Sequence, residues 1–148
     1  MSVFVDTGVF YAHHDTDASR HDAATTALTA VLTAPEYGHV LTSEYVYDEA
    51  VTLTYRRTNR MADAIELGRR ICGAGTYPES VDLLHPSREQ FTAATELFEE
   101  YADQDLSFTD VMTVVLGEQH DVDSVLSFDD DFDGIVDRLA PGSIGQTK

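Results

Sequence analysis

Four carboxylates stand at positions where an acid is expensive to keep. Asp6 closes the apolar run Val3-Phe4-Val5, and Asp129 closes Val125-Leu126-Ser127-Phe128. Glu49 follows Val46 by three residues and precedes Leu53 by four, so it shares their apolar face on an expected helix. Asp110 opens another expected helix. An acid at the edge of a core costs desolvation energy unless it is compensated. Converging acids also raise one another's pKa values unless a cation holds them together. Carboxylates with no thiolate or paired histidine ligands select hard cations such as Mg²⁺ or Mn²⁺, whose chemistry is that of phosphate oxygens.

Each acid also has a plainer reading. Asp6 can cap the helix that starts at Thr7. Ser107-Phe108-Thr109-Asp110 fits a capping box. Asp129 heads the acidic stretch Asp129-Asp130-Asp131-Phe132-Asp133-Gly134, and Glu49 can pair with Arg56 two turns later. That acidic stretch matches the first positions of a calcium-binding EF-hand loop. Its twelfth position, however, is Ala140, where a glutamate is required, and a strand precedes it instead of a helix.

The elements that must carry these acids alternate. Strands are expected at Ser2–Val5, His39–Leu41, Val81–Leu84 and Ser124–Phe128, with a weak fifth near Arg138–Leu139. Helices are expected at residues 7–13, 17–33, 43–57, 60–72, 87–102 and 108–118. Asn59 is read as the cap that starts the fourth of them, and Ser87 with Gln90 as a capping box for the fifth. Short apolar strands alternating with helices call for a central, mainly parallel sheet of four to five strands in an α/β/α sandwich. In such folds ligands bind beyond the carboxyl ends of the strands, where Asp6 and Asp129 both fall. Residues 1–140 are read as one domain and 141–148 as a C-terminal tail.

Composition narrows the field. The 148 residues include 43% hydrophobic side chains, enough for a globular core, and no apolar run reaches the length of a membrane span. Cys72 is alone, so a disulfide framework and a CxxC motif are excluded. With no signal-peptide pattern at the start, a cytoplasmic location is expected. Nine basic residues face 27 acidic ones, a net charge of −18, and Lys148 is the sole lysine. A lysine-poor acidic surface resembles proteins of salt-loving organisms, where dense salt screens self-repulsion; a halophilic archaeon is the expected source.

Five of the nine basic residues, Arg56, Arg57, Arg60, Arg69 and Arg70, crowd into one stretch after the Glu49 helix. Two readings stand: a surface salt-bridged to Asp63 and Glu66, or a track for an RNA backbone formed by Arg56, Arg57 and Arg60. The six histidines show no zinc-type pairing, and His13 and His14 are placed in a solvated loop. No G-x-S-x-G, GxGxxG or Walker loop occurs. A haloacid-dehalogenase-type phosphatase needs Asp-x-Asp after its first strand, but residue 8 is glycine; a phosphoacceptor receiver needs a lysine that only Lys148 offers.

The sequence resembles PIN-domain ribonucleases, most nearly VapC-type toxins of toxin–antitoxin pairs. Phe4-Val5-Asp6-Thr7-Gly8-Val9-Phe10-Tyr11-Ala12 resembles the first motif of that family. Thr42-Ser43-Glu44-Tyr45-Val46-Tyr47-Asp48-Glu49 resembles the segment with the helical glutamate. Asp103-Gln104-Asp105-Leu106-Ser107-Phe108-Thr109-Asp110 resembles the third motif, and Ser127-Phe128-Asp129-Asp130-Asp131-Phe132 the last. The resemblance runs from residue 3 to about residue 134.

What the resemblance implies is hydrolysis of RNA, dependent on Mg²⁺ or Mn²⁺ and leaving 5′-phosphate and 3′-hydroxyl ends. Asp6, Glu49, Asp110 and Asp129 would be the catalytic metal ligands, with Asp131 and Asp103 as further candidates. Thr7 and Ser127 would be hydroxyls that orient ligands or water. A homodimer and an antitoxin that blocks the site are the implied partners. The alternatives are a PIN nuclease of RNA processing that is not a toxin, and a non-catalytic acidic binding module.

Overall fold

The computed structural model describes residues 1–144. Five strands, β1 (Ser2–Val5), β2 (His39–Ser43), β3 (Asp82–Leu84), β4 (Ser124–Leu126) and β5 (Arg138–Leu139), form one sheet in the order β3-β2-β1-β4-β5. Every neighbouring pair is parallel. Six helices complete the three-layer α/β/α sandwich: α1 (Thr7–His14), α2 (His21–Thr33), α3 (Glu44–Thr58), α4 (Met61–Cys72), α5 (Arg88–Glu100) and α6 (Phe108–Gln119). Val3, Phe4 and Val5 are all fully buried, as a central parallel strand covered on both faces requires.

The strand order fixes where a site can form. From β1 the chain moves outward to β2 and β3, then returns across the sheet to add β4 and β5 on the other side of β1. The connections leaving β1 and β4 therefore diverge, and a crevice opens between their carboxyl ends. The backbone N–H of Asp6 donates to the Leu126 carbonyl at 3.0 Å, which joins the two strands at that point.

Local sequence sets the helices that face this edge. Ser43 ends β2 and also caps α3, its hydroxyl accepting from the Val46 N–H at 3.3 Å. The strand thus turns directly into the helix that bears Glu49. Behind α3, helix α4 buries Ala64, Leu67, Gly68 and Ile71 along one stripe. A Cβ on Gly68 would lie 2.7 Å from the Tyr47 hydroxyl, so glycine leaves room for the end of the Tyr47 ring against α4.

Several boundaries differ from those expected. Asn59 does not start α4: it ends α3 in the left-handed conformation (φ 56°), with its N–H on the Tyr55 carbonyl. Helix α2 begins at His21 instead of Asp17, because the Asp15 carboxylate takes the Asp17 N–H at 3.0 Å and holds a turn there. His13 and His14 belong to the last turn of α1, not to a solvated loop. Of the tail read over 141–148, Pro141–Ser143 form a 3₁₀ turn against α2, and Ile144 is buried in the core. The remainder, 145–148, lies outside the described residues.

Candidate active site

Asp6, Glu49, Asp110 and Asp129 line one open cavity of about 550 Å³, together with Thr7, Ser107, Phe128 and Asp130. They arrive from four separate elements. Asp6 is the residue between β1 and α1, Glu49 lies on the second turn of α3, Asp110 on the first turn of α6, and Asp129 just beyond β4.

Asp6 is not the helix cap that its position allows. Its side chain makes no capping hydrogen bond to α1. Instead Oδ2 accepts from Ser127 Oγ at 2.6 Å, and Oδ1 is buried with no partner. The residue is only 6% exposed. Burial raises its pKa to about 7, against the hydrogen bond from Ser127; the negative charges of Asp110 and Glu49 add to the rise. A carboxylate in this position is costly without a cation.

Asp110 does serve as a cap, and it faces the cavity as well. Its Oδ2 accepts from the Ser107 N–H at 3.0 Å, and the Ser107 hydroxyl accepts from the Asp110 N–H at 3.1 Å. The plain and the chemical readings of this residue are therefore compatible. Burial raises its pKa; the bonds to Ser107 oppose the rise, and Asp129 and Glu49 reinforce it. Glu49 is half-buried beside Leu53 and forms no ion pair with Arg56 among the described residues.

Ser127 ties the last acid to the first. Its fully buried hydroxyl donates to Asp6 and accepts from the Asp129 N–H at 2.9 Å. Asp129 Oδ1 in turn accepts from the Asp131 N–H at 2.9 Å. The fully buried Phe132 pins the following turn to the core. Carboxylate oxygens of Asp129, Asp130 and Asp131 lie within 4.8 Å of one another. Repulsion from Asp129 is the main reason the Asp131 pKa is raised. Asp133, the fifth position of the EF-hand pattern, is instead paired with Arg138, its Oδ1 2.7 Å from Nε. The hydroxyl of Thr7 is buried in the wall with no partner. Asp103 is exposed between α5 and α6 and does not line the cavity.

The donor set fits a hard divalent cation: it is all oxygen, and one buried carboxylate atom lacks any partner. A second group, His14, Asp63 and Glu66, is already matched from within the protein. Arg60 pairs with Asp63, Arg70 with Glu66, and the Tyr77 hydroxyl donates to Glu66.

The three arginines expected to bind RNA divide. Arg56 lines a cavity that shares Glu49 and Leu53 with the acidic one. Arg57, over the Tyr11 ring at 5.2 Å, and Arg60 line a different cavity, around His14 and Asp63. A basic residue that sequence reasoning passed over, Arg20, lines the acidic cavity itself. Its only signal is a lone arginine before a helix, in a segment otherwise acidic.

The PIN domain family model matches residues 3–137. Among solved structures, the fold is similar to VapC20 of Mycobacterium tuberculosis, described as a sarcin–ricin loop cleaving toxin. That match has a TM-score of 0.74 and 23% identity, covering 88% of this chain and 92% of that one. FitAcB from Neisseria gonorrhoeae aligns at a TM-score of 0.62 and 14% identity, covering 96% and 99%. VapBC2 from Rickettsia felis, bound to a DNA fragment from its promoter, aligns at 0.66 and 10%, covering 94% and 98%. No curated protein matches the sequence.

Proposed function

This chain belongs to the PIN-domain family, and on that footing we propose that it is an Mg²⁺- or Mn²⁺-dependent endoribonuclease, the toxin of a VapBC-type pair. The observation that carries this reading is the convergence of Asp6, Glu49, Asp110 and Asp129 on one cavity at the β1/β4 crevice, with Asp6 Oδ1 buried and unpartnered. These four carboxylates would hold the cation, with Asp131 within reach through Asp129. When bound, the cation supplies Lewis-acid charge to the scissile phosphate and makes water a better nucleophile. Ser127 fixes the rotation of Asp6 and the backbone of Asp129, and Ser107 does the same for Asp110. Arg56, in a cavity that shares Glu49 with the acidic one, would take a flanking phosphate, whereas Arg57 and Arg60 line the separate cavity around His14 and Asp63.

Protein partners are part of the same proposal. Tyr55, Met61 and Ile65 on α3 and α4, and Phe91 and Phe98 on α5, are large apolar side chains left exposed. Such patches support an antitoxin and a second copy of the chain as partners. The net charge of −18 supports a salt-rich cytoplasm, as in a halophilic archaeon. No helix among the described residues is long and apolar enough to cross a membrane.

The deciding experiment incubates purified protein with end-labelled RNA in KCl, with EDTA, Mg²⁺ or Mn²⁺. Cleavage should require the cation, and Asp6→Asn and Asp129→Asn should each lower it by about 100-fold or more while the far-UV spectrum stays unchanged. Variants that cut as well as the parent would sink the site assignment.

A further inference from the structure

Arg20 is the one basic side chain among the described residues lining the acidic cavity. It is exposed at the residue before α2, with its guanidinium carbon 4.9 Å from the centre of the Phe128 ring. Five carboxylates share its cavity: Asp6, Glu49, Asp110, Asp129 and Asp130. Among the described residues it pairs with none of them. Its guanidinium lies instead over the ring of Phe128.

Phe128 is itself well anchored. It stands between Ser127, whose hydroxyl is bonded to Asp6, and Asp129, whose N–H is bonded to Ser127. Its ring edge also packs beside Gly8, where an added Cβ would lie 3.9 Å from Cδ2. The loop that delivers Asp129 to the cavity therefore delivers a seat for Arg20 as well. A planar guanidinium can lie on that ring and keep its N–H donors free, which a lysine ammonium cannot do in the same way.

We propose that Arg20, seated on Phe128, is a substrate-binding residue that holds an RNA phosphate next to the one being cut. The proposal rests on the nuclease reading above. A cation held by Asp6, Glu49, Asp110 and Asp129 would offset their charge and leave the donors of Arg20 available to an entering phosphate. The cavity lined by Arg56 meets the acidic cavity at Glu49 and Leu53. A single strand crossing the acids would thus run from Arg20 at one end to Arg56 at the other.

The test compares Arg20→Ala and Arg20→Lys, with Arg88→Ala as the control for loss of one exposed charge outside both cavities. Binding of a labelled single-stranded RNA is read by fluorescence anisotropy in the Asp6→Asn background, with Mg²⁺, over a KCl series. Arg20→Ala should weaken binding about 10-fold. The slope of log K against log salt should shrink by about 0.7, the share of one phosphate contact on a single strand. Arg20→Lys should keep the slope and recover part of the affinity, and Arg88→Ala should change neither. In the active protein, Arg20→Ala should raise KM with kcat within about twofold of the parent. Phe128→Leu should reproduce that rise, because Arg20 then loses its seat.

A parent that binds and cuts RNA alongside an Arg20→Ala variant with the same affinity and slope overturns the proposal and leaves the nuclease reading intact. A fall in kcat alone, with binding unchanged, also overturns it. A normal KM in Phe128→Leu removes the seat. A parent that neither binds nor cuts RNA overturns both readings.

Discussion

Ser127 Oγ donates to Asp6 Oδ2 at 2.6 Å, while the other oxygen of Asp6 is buried without a partner. One hydrogen bond to a buried carboxylate sets its orientation but does not offset its desolvation, and the pKa of Asp6 rises to about 7. The same hydroxyl accepts from the Asp129 N–H. Two acids 123 positions apart in the chain therefore share one positioning group. Ser127→Ala should lower metal affinity about 10- to 100-fold, as loss of a group that orients a ligand usually does. Titration with Mn²⁺ checks this, and an unchanged dissociation constant would remove Ser127 from the orienting role.

Stability of the metal-free protein should fall as pH rises from about 4 to about 7. Asp6 has a raised pKa, so between its ordinary value of 3.8 and about 7 the native state holds a proton that the unfolded chain has released. The stabilisation is present below the unfolded value and is lost as pH climbs through the folded one. Its full size is about 4 kcal/mol as an upper bound. Asp110, also raised, acts in the same direction. Urea unfolding at pH 5 and pH 8 should show the loss, Asp6→Asn should remove most of it, and excess Mg²⁺ should restore stability at pH 8. Equal pH slopes in parent and variant would mean that Asp6 is not the source.

Asp110 combines two roles that substitution can separate. Asp110→Asn keeps an oxygen to accept from the Ser107 N–H, so the helix cap should survive while cleavage is lost. Asp110→Ala removes both, and should cost a further ~1 kcal/mol in stability. Thermal melts and cleavage assays on the two variants distinguish these effects; equal melting temperatures would show that the cap contributes nothing.

The arginines should differ in importance despite being neighbours in sequence. Arg56 borders the acidic cavity, whereas Arg60 is turned to Asp63. Arg56→Ala is expected to weaken RNA binding about 10-fold and Arg60→Ala less than about twofold, neither altering Mn²⁺ affinity. A larger loss at Arg60 than at Arg56 would place the RNA in the cavity around His14 instead.

Salt should stabilise the protein through screening. A net charge of −18 on 148 residues repels itself, and the Debye length shrinks from about 10 Å at 0.1 M to about 3 Å at 1 M. The melting temperature should climb by several degrees with KCl, most steeply below about 0.5 M, and level off afterwards. A flat profile would mean that the surface charge is harmless at low salt.

The sequence by itself determined the order of the elements and the parallel sheet, and singled out four acids that line one cavity. The apolar run Val3-Phe4-Val5 of β1 has to be a covered central strand, and Asp6 and Asp129 have to follow strands whose carboxyl ends meet. Ser87 and Ser107 announced their capping boxes because the partners lie three residues away. Only the tertiary structure decided what depends on contacts between distant segments. It turned Asp6 away from its own helix and onto Ser127, divided Arg56 from Arg57 and Arg60, and left Asp103 outside the cavity. It also seated Arg20 on Phe128, 108 positions further along the chain. The physical reason is range. Hydrophobic periodicity and capping act within a turn or two of backbone, whereas the pairing of β1 with β4 brings residues more than a hundred positions apart within a hydrogen bond of one another.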